Sequence, residues 1–248
     1  MNCHLNVMIL KHHHLFSIAQ NFTCEDYYAY VKSLRPVLWL SASNFDGDRT
    51  SSTGVVTGDA SGRMTDSIGN PVTSSGTIRV VNVDGNSAYH FDNTNSIASD
   101  TNVTQPYSLL LIYKDIAPFV TSGRFFHSYP GTMSLFGSWN GKEDIWLENN
   151  NWVTNDRTQI QTFTMQFLMA TSENNVKNMW DVKKNTKPVD AITSTWNSIW
   201  GKTVICYNSA ISGYSSAVYI FEAMVFNTSL TGTERESLRA IFNKKYNI

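Results

Sequence analysis

The stretch YIFEAMVFNTSLTGTERESLRAIFNKKYNI, residues 219–248, decides how the rest of the chain is read. Its first half alternates Tyr219, Phe221, Ala223 and Val225 with Val218, Ile220, Met224 and Phe226, so a strand over 217–226 is apolar on both faces. A strand of that kind has to be covered on two sides, because either face would otherwise present hydrocarbon to water. Glu222 is the lone charge in it. The second half predicts a helix: Thr231 and Glu234 have capping-box spacing, and Leu238, Ile241, Phe242 and Tyr246 fall on one face. Lys244 and Lys245 stand in its last turn, where cations favour the helix dipole.

Upstream of that ending, short apolar runs alternate with Gly, Asn, Asp and Ser clusters, the pattern of many strands joined by turns. The runs predict strands over 37–40, 78–83, 88–91, 108–113, 124–127, 144–148, 162–170 and 203–207, besides the last one. Many strands followed by one helix imply an all-β sandwich with a helical lid and exclude a parallel sheet with crossover helices. All-β sandwiches reach 248 residues as single domains, so residues 35–248 read as one domain and residues 1–34 as an N-terminal arm. In that arm Thr23 and Asp26 could cap a short helix, on which Tyr27, Tyr30, Val31 and Leu34 share a face. That face must dock on the sandwich itself or on a partner.

Composition narrows the function. Apolar residues make up 42% of the chain and charged ones 16%, with 7 Trp, 11 Tyr and 13 Phe, so an aromatic core is surrounded by a surface of Ser, Thr and Asn. A formal net charge of -1 lacks the basic footprint that nucleic acid requires. The opening segment, MNCHLNVMILKHHHLFSIAQ, breaks its apolar run at Lys11 to His14, which is too short for a secretory signal or a membrane span. The expectation is therefore synthesis in the cytoplasm without a signal peptide, and no membrane insertion. Cys3, Cys24 and Cys206 form no disulfide framework, and Cys206 reads as a small core residue.

Two stretches carry a resemblance. RPVLWLSASNFDGD with RMTDSIGNPV, residues 35–48 and 63–72, is similar to the opening strand, acidic turn and Asp-Ser-Gly-Asn type loop of the concanavalin A-like lectin/glucanase superfamily, in particular its LamG-like modules of bacterial and phage proteins. Residues 219–248 resemble that family's closing strand and terminal helix. The resemblance implies a two-sheet antiparallel jelly roll whose members bind glycans, mediate adhesion, decorate larger assemblies or hydrolyse polysaccharides. Where the family often has an Asp in its opening segment, this chain has Ser41 or Ser43, which weakens a metal role there.

Carboxylate spacing speaks against hydrolysis. Retaining glycosidases need two carboxyl groups about 5 Å apart. In the run 142–148, Glu143 and Asp144 point to opposite faces, whereas Asp144 and Glu148 share one at a separation of about 13 Å with Trp146 between them. No nucleophile-elbow motif is present. Asn44, Asp46 and Asp48 alternate oxygen ligands as the start of a calcium loop does, yet Arg49 and Val55 stand where its glycine and closing glutamate belong, so a polar turn is the simpler reading. The triple His12, His13 and His14 has no acidic or cysteine ligand near it.

The stretch GSWNGKEDIWLENNNWVTND, residues 137–156, is the candidate ligand site. It interleaves Trp139, Trp146 and Trp152 with Asn140 and Asn149 to Asn151, offering flat aromatic faces for the C–H surface of a sugar and amides for its hydroxyls. The same residues also read as a core tryptophan and a turn. The expected function is a non-enzymatic module that recognises glycans or a protein partner. The alternative is a structural component of a virion or particle surface, attached or oligomerised through the N-terminal arm.

Overall fold

The structure is a computed structural model that describes residues 5–7, 20–22, 24–44, 55–56, 63–92, 94–116, 123–129, 135–139, 142–148, 151–153, 163–174, 176–182, 186–193, 199–206 and 217–248. A small ribbon pairs β1 (Leu5–Val7) with β2 (Gln20–Phe22), and helix α1 (Cys24–Ser33) follows. Arg35 then turns left-handed at φ 53 immediately before Pro36, a combination that stops a helix ahead of the first sandwich strand.

The sandwich strands come in the order β3 (Leu38–Ser41), β4 (Val55–Val56), β5 (Arg63–Thr65), β6 (Pro71–Ser75), β7 (Ile78–Val83), β8 (Asn86–Phe91), β9 (Ser96–Thr104) and β10 (Tyr107–Asp115). They continue with β11 (Gly123–Tyr129), β12 (Leu135–Trp139), β13 (Lys142–Glu148), β14 (Asn151–Trp152), β15 (Gln166–Glu173), β16 (Val176–Asp181), β17 (Thr186–Thr193), β18 (Ile199–Cys206) and β19 (Val218–Phe226). Helix α2 (Gly232–Tyr246) closes the chain. One sheet runs β17-β16-β15-β10-β19-β8-β7-β4, with β3 also on β19, and the other runs β14-β13-β12-β11-β18-β9-β6-β5. All-β sandwich architecture is thus the fold, as the sequence pattern predicts.

Two apolar layers hold it. Between the sheets lie Leu109, Leu111, Tyr113, Phe126, Phe136, Trp146, Ile205, Cys206, Ala223 and Val225. On the outer face of the first sheet, Leu110, Ile112, Phe167, Phe221 and Met224 pack under Tyr27 and Val31 of α1 and Leu238, Ile241 and Phe242 of α2. The apolar face of the arm therefore docks on its own sandwich. β19 is the strand both layers share, buried along nearly its whole length and paired with β10, β3 and β8.

The strict alternation expected along β19 fails at one place, and the failure is informative. The register with β10 slips between Ile112 and Tyr113, which face Glu222 and Ile220, leaving Phe221 as the extra residue of a β-bulge. Val218 and Ile220 thereby join Ala223 and Val225 in the inter-sheet core, while Phe221 and Glu222, although consecutive, both belong to the helical side. The strand expected over 162–170 begins later, at Gln166, because Phe163 is left-handed at φ 54 and 38% exposed. Strands β5, β6, β9, β12, β16 and β17 had no strand expectation; β6 and β9 are rich in Ser and Thr, and Lys177 and Asn178 of β16 and Lys187 and Asp190 of β17 break their apolar runs, so pairing with neighbours holds these four more than a continuous apolar face does.

Candidate functional site: a cleft beside the closing helix

Two buried carboxylates position the elements around the helical layer. Glu222, fully buried, is held by donors from three elements: its Oε1 accepts from Tyr27 Oη of α1 at 3.2 Å, Ser41 Oγ of β3 at 2.9 Å, and Lys245 Nζ and Tyr246 Oη of α2 at 2.6 and 2.7 Å. Its Oε2 accepts from Trp39 Nε1 at 2.9 Å. Lys245 lies 4.6 Å from the centroid of the Tyr27 ring, so its charge is neutralised by Glu222 and further stabilised by an aromatic face. Burial, followed by the charge of Glu222, pushes the Tyr246 phenol well above its ordinary range and keeps it a donor. Lys245, in the last turn of the helix where a cation favours the dipole, is also half of a largely buried ion pair.

Asp66 does for the Asp-Ser-Ile-Gly-Asn loop what Glu222 does for the helices. Its carboxylate accepts from the backbone N–H of Trp39 at 2.9 Å, Ile68 at 3.0 Å and Asn70 at 2.8 Å, and from Asn70 Nδ2 at 3.2 Å. Ser67 Oγ accepts from Ser41 N–H at 3.0 Å, and Tyr28 Oη donates to the Ser67 carbonyl. Burial raises the Asp66 carboxyl above its usual value while these donors pull it back. The opening strand and the Asp-Ser-Ile-Gly-Asn loop are thus one stitched unit, and Asp66 is structural.

With the helices fixed, a cleft of 560 Å³ remains between β15, β16 and the start of α2. Thr171 and Glu173 line it from β15, Asn178 and Trp180 from β16, and Ser229, Leu230, Thr231 and Arg235 from the turn and first turns of α2. Asn178 stands directly across from Thr171 in the antiparallel register. The Arg235 guanidinium lies 4.1 Å from the Trp180 ring centroid and donates to the Leu230 carbonyl, so the wall is rigid. The turn itself is fixed by Ser108, whose Oγ donates to the Thr228 carbonyl at 2.8 Å and accepts from Leu230 N–H at 2.9 Å. The first turn of α2 is closed by the capping box: Thr231 Oγ1 accepts from Glu234 N–H at 3.3 Å, and Glu234 Oε2 accepts from Thr231 N–H at 2.7 Å.

The residues expected to bind ligand divide. Trp146 is a correction: it is 0% exposed, inside the inter-sheet core and edge-on to Phe136 at 6.3 Å, so its indole supports the sheet and cannot meet a sugar. Trp139 and Trp152 lie on β12 and β14, with side chains outside the described residues, as are Asn140 and Asn150. Of the calcium-loop residues, Asn44 ends a short 3-10 turn, Ala42–Asn44, and Asp46 and Asp48 fall outside the described residues with the triple histidine. Among the described residues no cluster of three His, Cys, Asp or Glu could hold a metal ion. Cys206 is fully buried, and burial pushes its thiol well above the ordinary range, which suits a core residue. No described helix is long and apolar enough to cross a membrane.

The cleft was missed in the sequence. Trp180 and Asn178 sit in a strand without an apolar run, and Arg235 looks like an ordinary exposed helix residue. What brings them together is sheet order and the seating of α2.

This geometry places the chain with β-sandwich domains that include glycan-binding ones. Domain 4 of an extracellular arabinanase from Geobacillus stearothermophilus, in complex with arabinotriose, superposes with a TM-score of 0.56 at 15% identity, over 76% of this chain and 97% of that domain. The Trypanosoma rangeli sialidase in complex with sialic acid gives 0.52 at 9% identity, over 83% of this chain and 32% of the sialidase. The binding domain of botulinum neurotoxin DC, in complex with rat synaptotagmin II, gives 0.53 at 9% identity, over 85% of this chain and 52% of that one. The chain therefore spans about a third of the sialidase and about half of the toxin domain. No family model matches the sequence, and no curated protein matches it. At these identities the likeness is one of fold.

Proposed function

We propose that the protein is a non-enzymatic binding module of the concanavalin A-like type that recognises glycans through the surface of its sandwich. The observation that carries the reading is the chemistry of the cleft, in which an aromatic–guanidinium wall, an amide and hydroxyls meet one carboxylate among the described lining residues, Glu173. That set suits polyol recognition and falls short of the paired carboxyls that glycosidic cleavage needs. Among the described acids nearby, Glu222 and Asp66 are buried and engaged by the donors already described, Glu234 is held by Thr231 in the capping box, and Glu236 is paired with Arg239 at 3.0 Å. A neighbour supports it from outside, because an arabinanase domain in complex with arabinotriose shares the fold.

Attachment to a particle through the N-terminal arm is the less favoured reading: the face formed by Tyr27 and Val31 is already covered by the protein's own sandwich. The test is a glycan-array screen of the purified full chain, with calcium and with chelator, beside Trp139→Ala and Trp152→Ala variants. Saturable binding to a defined set of glycans supports the proposal. Absence of binding to every glycan overturns it and returns the structural, particle-attached role to first place. Loss of binding in chelator would add a metal that the described residues do not hold.

A further inference from the structure

We infer that the cleft between β15, β16 and the first turns of α2 is the ligand site, and that it takes a short, uncharged saccharide segment. This inference rests on the glycan-binding reading and adds to it a location and a ligand class. Its volume of 560 Å³ lies within the usual range of small-molecule sites, about 300–1,000 Å³.

Charge decides the class. Arg235 is the cation among the described lining residues, but Glu173 lies in the same cleft and Glu234 precedes Arg235 on its own helix, while Glu236 beyond it is paired with Arg239 at 3.0 Å. A carboxylate or sulfate ligand meets more negative charge than positive here. The N-terminus of α2, which would otherwise draw an anion, is already occupied by its own capping box, with the Glu234 carboxylate against the Thr231 N–H. A ligand cation fares no better, because the guanidinium of Arg235 already takes the cation–π position over Trp180. What remains suited to the cleft is a neutral polyol. Its hydroxyls can donate to Glu173, accept from Arg235 and exchange both kinds of bond with Asn178 and the rim hydroxyl of Ser229. Asn178 and Glu173 lie on neighbouring strands, in the same line as Thr171, so they would read adjacent hydroxyls from one side.

The experiment uses the full-length, isotopically labelled protein titrated with arabinotriose, xylotriose, cellotriose and N-acetylchitotriose, with sialyllactose as the anionic comparison, and maps backbone amide shifts. Glu173→Gln and Asn178→Ala are titrated alongside; Glu173 is exposed and Asn178 half-buried, so both should fold, and their spectra report it directly. The expected result is shifts clustered at 171–180 and 229–235 with a neutral oligosaccharide, and roughly tenfold weaker binding in each variant, the loss of one or two hydrogen bonds. Neutral-glycan binding that maps elsewhere and survives both variants overturns the cleft while leaving the glycan reading intact. Binding of sialyllactose in preference to the neutral set overturns the ligand class. No binding by any of the oligosaccharides, nor on the array, overturns both.

Discussion

Replacing Glu222 by alanine should be the most damaging single change in the helical layer. The variant leaves Lys245 as a charge whose side chain is 13% exposed, without its partner at 2.6 Å, and strips Trp39 Nε1 and Tyr246 Oη of their acceptor. Breaking a buried ion pair from one side costs about 3–5 kcal/mol, and each orphaned buried donor about 1–3 kcal/mol. These costs overlap because the groups share one site, so we take about 4 kcal/mol, a large part of the ~5–15 kcal/mol by which domains are stable. With a urea slope of about 3 kcal/mol per molar, the midpoint should fall by about 1.3 M. The double variant Glu222→Ala, Lys245→Met should recover roughly half of that, because it removes the stranded charge together with its partner. Amides of α1 should exchange faster in the single variant, since Tyr27 loses its anchor. A midpoint shift below about 0.3 M, or a double variant as unstable as the sum of the two singles, would refute the reasoning.

Three further predictions concern other parts of the account. Thr231→Ala should lower stability by about 1 kcal/mol through loss of the capping box, measured by urea denaturation; an unchanged midpoint would mean that the cap contributes nothing. Trp146→Ala should cost about 3–5 kcal/mol as a core cavity, yet leave glycan affinity of the folded protein unaltered; weakened affinity in folded protein would return Trp146 to the binding surface. Tyr246 has its phenol raised well above the model-compound value of 10.0, so its contribution is intact below that pH and is lost as pH rises past it, when the unfolded chain ionises first. Wild type should then lose up to about 1.4 kcal/mol per pH unit above pH 10 relative to Tyr246→Phe, and equal slopes for the two would sink the idea.

The ends of the chain were the legible part, for physical reasons that can be named. Thr231, Glu234, Leu238, Ile241, Phe242 and Tyr246 act within a single helix, where spacing alone fixes which face is buried and how the first turn is closed. The doubly apolar run of β19 announced a central strand for the same reason. Glu222 stood out as its lone charge, but the bulge at Phe221 and the donors from α1, β3 and α2 depend on contacts between separate elements, with donors 23 to 195 residues away, which no local pattern encodes. Trp146 could be read as either core or ligand contact from sequence, because a tryptophan on a strand that runs into an Asn cluster looks the same in both roles; burial against Phe136 decides it. The cleft combines Asn178 and Trp180 with Arg235, and only the pairing of β15 with β16 and the seating of α2 bring them to one place.

Recognition without cleavage is the central claim, and one measurement addresses it directly. The full chain is incubated for a day with each neutral oligosaccharide that it binds, at concentrations that saturate the site, and the sugar is then recovered and weighed by mass spectrometry. The account predicts saturable binding with the oligosaccharide returned intact. Shortened products that accumulate with time in proportion to protein, and vanish in Glu173→Gln, would contradict it and make the cleft an active site.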